Sequence, residues 1–115
     1  MINYDEQQDL YILEGKGVIV LWDEKPDSFE EEIGTEMVRH YNNSIHEILD
    51  YIFEDLKIYV PDLNRLELEN KLKTPYIDAN LGQVYYFDHE FDEISSIGFE
   101  FFDNEFKDLG SITIS

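Results

Sequence analysis

The sequence predicts an α+β domain: an antiparallel sheet of about four to six strands with two or three helices packed on one face. Three observations point there. The stretch 83–115 holds three β-rich runs, VYYFD, SIGFEFFD and LGSITIS, separated by two acidic connections. Within it Ile97, Phe99 and Phe101 alternate with Gly98 and Glu100, and Ile112 and Ile114 repeat that period. One set of side chains therefore faces a core and the other faces water, as in a C-terminal meander. The middle of the chain has helical spacing instead, with Ile45, Ile48, Leu49, Ile52 and Leu56 on one stripe and Glu47, Asp50 and Glu54 opposite.

Taken in order, residues 1–14 are polar with a few apolar anchors and read as a frayed lead-in or an edge strand. Gly15-Lys16-Gly17 is a turn. Val18 to Trp22 is apolar without alternation, the pattern of a strand covered on both faces or central in its sheet. Ser28 opens a helix, with Glu31 at capping-box spacing and acids in the first turn, where the helix dipole favours them. Phe29, Ile33, Met37 and Tyr41 would line its inner face. Ser44 and Glu47 repeat the box spacing, so a second helix or a kink follows. Residues 62–72 suit either a third helix, with Leu63, Leu66 and Asn70 on one face, or a strand beginning at Leu66. Tyr76 to Phe87 reads as a hairpin in which Gly82 takes positive φ.

The 115 residues suit one domain, 1–115, and 43% hydrophobic content suffices for a core. The formal charge of −19 is the unusual quantity. Such a chain repels nucleic-acid phosphates and anionic membranes and suits a basic protein partner. The plainer alternative is that the charge serves solubility alone. Residues 59–82 hold four acids against three bases, whereas 28–58 hold eight against two and 83–115 eight against one. The chain has no cysteine, which excludes disulfides, thiolate metal sites and cysteine nucleophiles. The N-terminus lacks the basic and apolar regions of a signal peptide, and no stretch has the length of a membrane span. A cytoplasmic protein is the expectation.

No stretch carries a compelling catalytic motif. Asp88, Glu90 and Asp92 place oxygen donors at alternate positions as a calcium loop does. The sixth position, however, is Glu93 where glycine is needed, and the twelfth is Phe99 where glutamate is needed. A solvated acidic turn is the reading for 88–93, with a metal-dependent hydrolase as the less favoured alternative. Asp62, Glu69 and Lys71 follow the order of a two-strand nuclease site, but their separation is short. His40 and His46 are six apart, which does not match zinc-ligand spacing on a helix. Neither a cofactor nor a metal is expected. What remains is surface: Tyr85, Phe87, Glu100 and Phe102 share the meander face opposite Ile97 and Phe99. Aromatics interleaved with carboxylates suit a basic protein, the rings as anchors and the acids for steering. The competing reading is that helices cover this face and the rings are core.

The order Tyr59-x-Pro61, Leu72-Lys73-Thr74-Pro75 with Ile77, Phe87-Asp88-x-Glu90, Ile97-Gly98-Phe99-Glu100 and Leu109-Gly110-Ser111 resembles small acidic α+β immunity proteins of bacterial polymorphic and contact-dependent toxin systems. The likeness spans roughly residues 15–113 and departs at Phe91-Asp92, where many members carry a histidine–glycine pair. It implies a non-enzyme that binds and occludes a cognate toxin domain, often a basic nuclease, through contacts that do not carry over between members. The expected partner surface comprises Glu47, Asp50 and Glu54 on the helix, and Tyr85, Asp88, Glu90, Asp92, Glu93, Glu100 and Phe102 on the meander. An acidic adaptor without a toxin is the alternative.

Overall fold

The computed structural model describes residues 2–115. Among them, seven strands form one sheet in sequence order: β1 (Ile2–Asp5), β2 (Leu10–Gly15), β3 (Val18–Trp22), β4 (Tyr76–Asp78), β5 (Gln83–Tyr85), β6 (Ile97–Phe101) and β7 (Leu109–Ile114). Three helices, α1 (Ser28–Asn43), α2 (Ile45–Tyr59) and α3 (Arg65–Leu72), fill the connection between β3 and β4. That crossover makes β3 and β4 parallel, while every other neighbouring pair is antiparallel. The α+β class is as expected, but the sheet is larger than the expected four to six strands. The difference lies in residues 2–15, whose polar lead-in supplies both β1 and β2. Tyr4 and Tyr11 face each other across that pair with ring centroids 4.9 Å apart, the kind of cross-strand contact that stabilises a short edge strand.

One cross-sheet row explains where the core lies. Leu13, Val20, Ile77, Val84 and Phe99 stand side by side on successive strands, and all are buried. The helices cover this face: α1 lies on β2 and β3, and α2 reaches β7 with α3 against it. Val18, Val20 and Trp22 point into this layer, but Ile19 and Leu21 are only half-buried. The β3 run is therefore central in the sheet without being covered on both faces.

Several local expectations change in the tertiary context. The α1 cap is Asp27, not Ser28: its carboxylate accepts the Glu30 amide at 2.8 Å while Glu30 Oε1 accepts the Asp27 amide at 3.1 Å. Positions four apart drift by about 40° around a helix, so Phe29 falls off the face set by Met37 and Tyr41: it is 69% exposed, and the buried residues are Gly34, Met37, Val38 and Tyr41. A second helix does follow, but Ser44 makes no side-chain cap. Its hydroxyl donates instead to the Glu105 carbonyl at 3.3 Å, tying the helix junction to the β6–β7 connection. Of the two readings of 62–72 the helix holds, over Arg65–Leu72, capped by Asn64 accepting the Glu67 amide at 2.8 Å. Leu68 and Leu72 are its buried residues, joined by Leu63 ahead of the helix, whereas Leu66 is 67% exposed. The stripe of α2 and the 76–87 hairpin with Gly82 at φ +67° agree with the sequence.

Asp103 shapes the β6–β7 connection, a role no spacing rule announced. Its carboxylate accepts the amides of Glu105, Lys107 and Asp108 at 2.6–3.2 Å. Burial alone would raise its pKa, but those amides and the Lys107 charge outweigh it and hold the carboxyl below its usual range.

The register also shows which β7 amides face away from the sheet. Ser96 and Ser115 exchange both backbone hydrogen bonds, at 3.2 and 3.1 Å. In an antiparallel pair such positions alternate by two, so Thr113 also bonds to β6 while Ile112 and Ile114 direct their N–H groups outward. Hydrogen exchange read residue by residue is expected to find the Thr113 amide protected well above Ile112 and Ile114. Equal protection along β7 would contradict this register.

Candidate functional site: an uncovered acidic and aromatic sheet face

The sheet face opposite the helices follows from the same register. One row runs Ile12, Leu21, Asp78, Gln83 and Glu100, and the next runs Glu14, Ile19, Tyr76, Tyr85, Gly98 and Thr113. No helix lies over these rows, so Tyr85, Phe87, Glu100 and Phe102 are not core. Phe87 and Phe102 are each 64% exposed. Tyr85 is half-buried because its ring lies over Gly98, 3.0 Å from where a β-carbon would stand. Phe102 lies likewise over Gly110. Glycines on neighbouring strands thus provide the floor against which two of the rings rest.

Three rings form a cluster at the centre of this face. Tyr85 and Phe87 stack with centroids 5.5 Å apart and planes 19° apart, and Tyr76 meets Phe87 edge-on at 5.1 Å. The Tyr76 hydroxyl donates to Asp88 Oδ2 at 2.9 Å. Burial, then that hydrogen bond and the charges of Asp88 and Glu14, raise the Tyr76 pKa. Burial and the Asp78 charge do the same for Tyr85. In both the larger cause is burial, and the neighbouring carboxylates add to it.

Ion pairing sorts the carboxylates. Of the eight basic residues, Arg39, Lys57, Arg65, Lys71 and Lys73 all pair with nearby acids. Their partners include three of the expected contact residues: Asp50 with Arg65, Glu54 with Lys57 at 2.9 Å, and Glu90 with Lys73 at 3.2 Å. Each pair adds little stability at an exposed surface, but it cancels local charge. Glu14, Asp78, Asp88 and Glu100 have no cationic partner among the described residues. The excess negative charge of the open face is therefore uncompensated, while that of the helical face is partly neutralised.

The expected contact residues do not form one patch. Glu47, Asp50 and Glu54 lie on α2, in the layer on the far side of the sheet from Tyr85 and Glu100. Asp88 borders the aromatic cluster through its bond to Tyr76. Glu90, Asp92 and Glu93 lie in the connection between β5 and β6, exposed beside buried Phe91 and Ile94. There the Glu90 amide donates to the Lys71 carbonyl at 2.9 Å. No group of three His, Cys, Asp or Glu side chains converges among the described residues. The nuclease-like order also dissolves, since Glu69 and Lys71 both sit on α3 rather than on strands.

Sequence reasoning missed Glu14, Ile19, Leu21, Tyr76 and Asp78. Their signal was present in part: with Val18, Val20 and Trp22 as core, strand periodicity sends Ile19 and Leu21 to the other face. No helix of the described residues is long and apolar enough to cross a membrane. No family model matches the chain, and neither a curated protein nor a solved structure shows significant similarity to it.

Proposed function

We propose that this chain is a non-catalytic immunity protein that binds and neutralises a cognate bacterial toxin domain, a basic protein such as a nuclease, through its open sheet face. The observation that carries the reading is the pairing of exposed rings with carboxylates that have no cationic partner among the described residues, Glu14, Asp78, Asp88 and Glu100. Rings supply desolvated anchor area, and unscreened carboxylates supply steering and register. The resemblance to immunity proteins gives the target class. Asp50 and Glu54 on α2 contribute to net charge and long-range attraction, but their ion pairs with Arg65 and Lys57 make them weaker contact residues.

Co-expression with the product of the neighbouring gene, followed by association kinetics against salt, tests this. The expected result is a complex whose on-rate falls by about tenfold or more between low and high ionic strength. Glu100→Lys and Asp78→Lys are each expected to weaken it by roughly tenfold, about 1.4 kcal/mol. Glu54→Lys, at a carboxylate already paired with Lys57, is expected to have a smaller effect. A salt-independent on-rate, or a larger loss from the helix substitution than from the sheet ones, would overturn the assignment of the face. Absence of a complex with any basic toxin domain encoded alongside would overturn the function.

A further inference from the structure

A groove of about 330 Å³ on the open face is lined by Gln8, Leu21, Tyr76, Phe87 and Asp88. It is at the lower end of the size range of small-ligand sites, room for one side chain rather than a large cofactor. Its walls combine two chemistries. Tyr76 and Phe87 present aromatic surface, and Phe87 is largely exposed. Asp88 presents a carboxylate that the Tyr76 hydroxyl orients through Oδ2, and Oδ1 has no hydrogen-bond partner among the described residues. Gln8, brought over by the β1–β2 turn, is the other polar side chain in the wall.

Among the described residues, no cation of the protein lies over these rings. Lys57 lies 5.7 Å from the Phe53 ring and Lys71 lies 5.6 Å from the Phe91 ring, both away from the groove. Asp88 is likewise in no ion pair among the described residues. Aromatic surface beside an oriented, unpaired carboxylate is complementary to a flat cation that can lie against a ring while donating in its own plane. A guanidinium does both, whereas an ammonium is a compact and strongly hydrated point charge.

We infer that this groove seats an arginine side chain of the basic partner, the guanidinium lying against Phe87 and Tyr76 and donating to Asp88 Oδ1. The inference rests on the reading of the chain as a binder of basic proteins and names the group that the open face grips. Seating one arginine at a defined point would set the register of the partner on a sheet face that is otherwise broad and shallow.

The test is an amide-resolved NMR titration of the labelled protein with a blocked Gly-Arg-Gly peptide, and with its lysine and citrulline counterparts. The expected result is saturable shifts centred on Gln8, Leu21, Tyr76, Phe87 and Asp88. The arginine peptide should bind several-fold tighter than lysine, and citrulline should not bind. Asp88→Asn and Phe87→Ala are each expected to weaken binding by about tenfold, with Glu32→Gln, exposed on α1, as the unaffected control. Tyr76→Phe keeps the ring but releases the carboxylate, and should cost a few-fold. Spectra of the unliganded variants establish that each is folded. Shifts scattered over the acidic surface, equal response to lysine, or indifference to Asp88→Asn would overturn the arginine site. Arginine binding at the groove without any protein complex would sink the function and keep the site. A complex that survives Asp88→Asn, with no peptide response, would sink the site alone.

Discussion

Replacing Gly34 with leucine is expected to destabilise the protein by roughly 3 kcal/mol, a fall in melting temperature on the order of 10 °C. Gly34 sits in α1 where the helix crosses the buried Trp22 indole. A β-carbon there would stand 2.5 Å from Trp22 Cη2 and 2.7 Å from Cζ2, with Leu13 Cδ2 at 3.4 Å. Trp22 is 4% exposed, so its ring cannot swing into solvent to make room. Alanine isolates the competition between two effects. Helix propensity favours alanine over glycine by about 1 kcal/mol, whereas overpacking a filled core costs about 1–3 kcal/mol. The clash wins, and Gly34→Ala is expected to lose about 1 kcal/mol net. In a Trp22→Phe background the two crowding atoms are absent, and Gly34→Ala should become neutral or stabilising. Chemical denaturation of the four proteins measures the coupling. Additive effects would mean that the helix does not lie on Trp22 as described.

The second large effect concerns the hydroxyl pair buried between α1 and the residue following β5. Tyr41 and Tyr86 are 2% and 1% exposed, and their hydroxyl oxygens are 2.6 Å apart. Phe106 meets Tyr41 edge-on at 5.6 Å, and Phe99 flanks Tyr86 at 6.3 Å, so the pair sits among rings. Converting either tyrosine to phenylalanine strands the other hydroxyl without a partner, a loss of about 1–3 kcal/mol. Converting both removes the polar groups together and keeps the ring shapes. The double variant is expected to be more stable than either single one, and close to the parent. A double variant as unstable as the sum of the singles would show that the hydroxyls contribute independently.

The same pair sets a response to alkali. Burial raises the pKa of Tyr41, with the Tyr86 hydrogen bond only partly opposing it, and burial together with Tyr41 raises that of Tyr86. Unfolded tyrosine ionises near about pH 10. Below that pH both states keep the proton and the contribution to stability is complete. Above it the unfolded chain releases protons that the folded protein retains, so stability falls as pH rises. Absorbance of tyrosinate should report Tyr41 and Tyr86 ionising only together with unfolding, and the double phenylalanine variant should lose less stability above pH 10.

Some of this was readable from spacing because it depends on neighbours a few residues away. The alternation of Ile97, Phe99 and Phe101 marked β6, and the stripe from Ile48 to Leu56 marked the buried side of α2. The start of α1 at Ser28 was read correctly, but the capping box lies one residue earlier, on Asp27 and Glu30, because Asp27 and Ser28 both suit a cap and both have a glutamate three residues on. The aromatic face was legible at Tyr85, Phe87, Glu100 and Phe102, where a single meander presents it. Tyr76 and Leu21 were not, because the β3–β4 pairing joins segments separated by three helices.

Composition and periodicity alone determined the α+β class, the stripe of α2, the C-terminal meander and the large excess of negative charge. They could do so because each is a property of local order or of a sum over the chain. Only the tertiary structure decided which sheet face stays uncovered and which carboxylates stay unpaired. Those depend on where the three helices cross from β3 to β4, and on which acids the few lysines and arginines reach once the chain has folded.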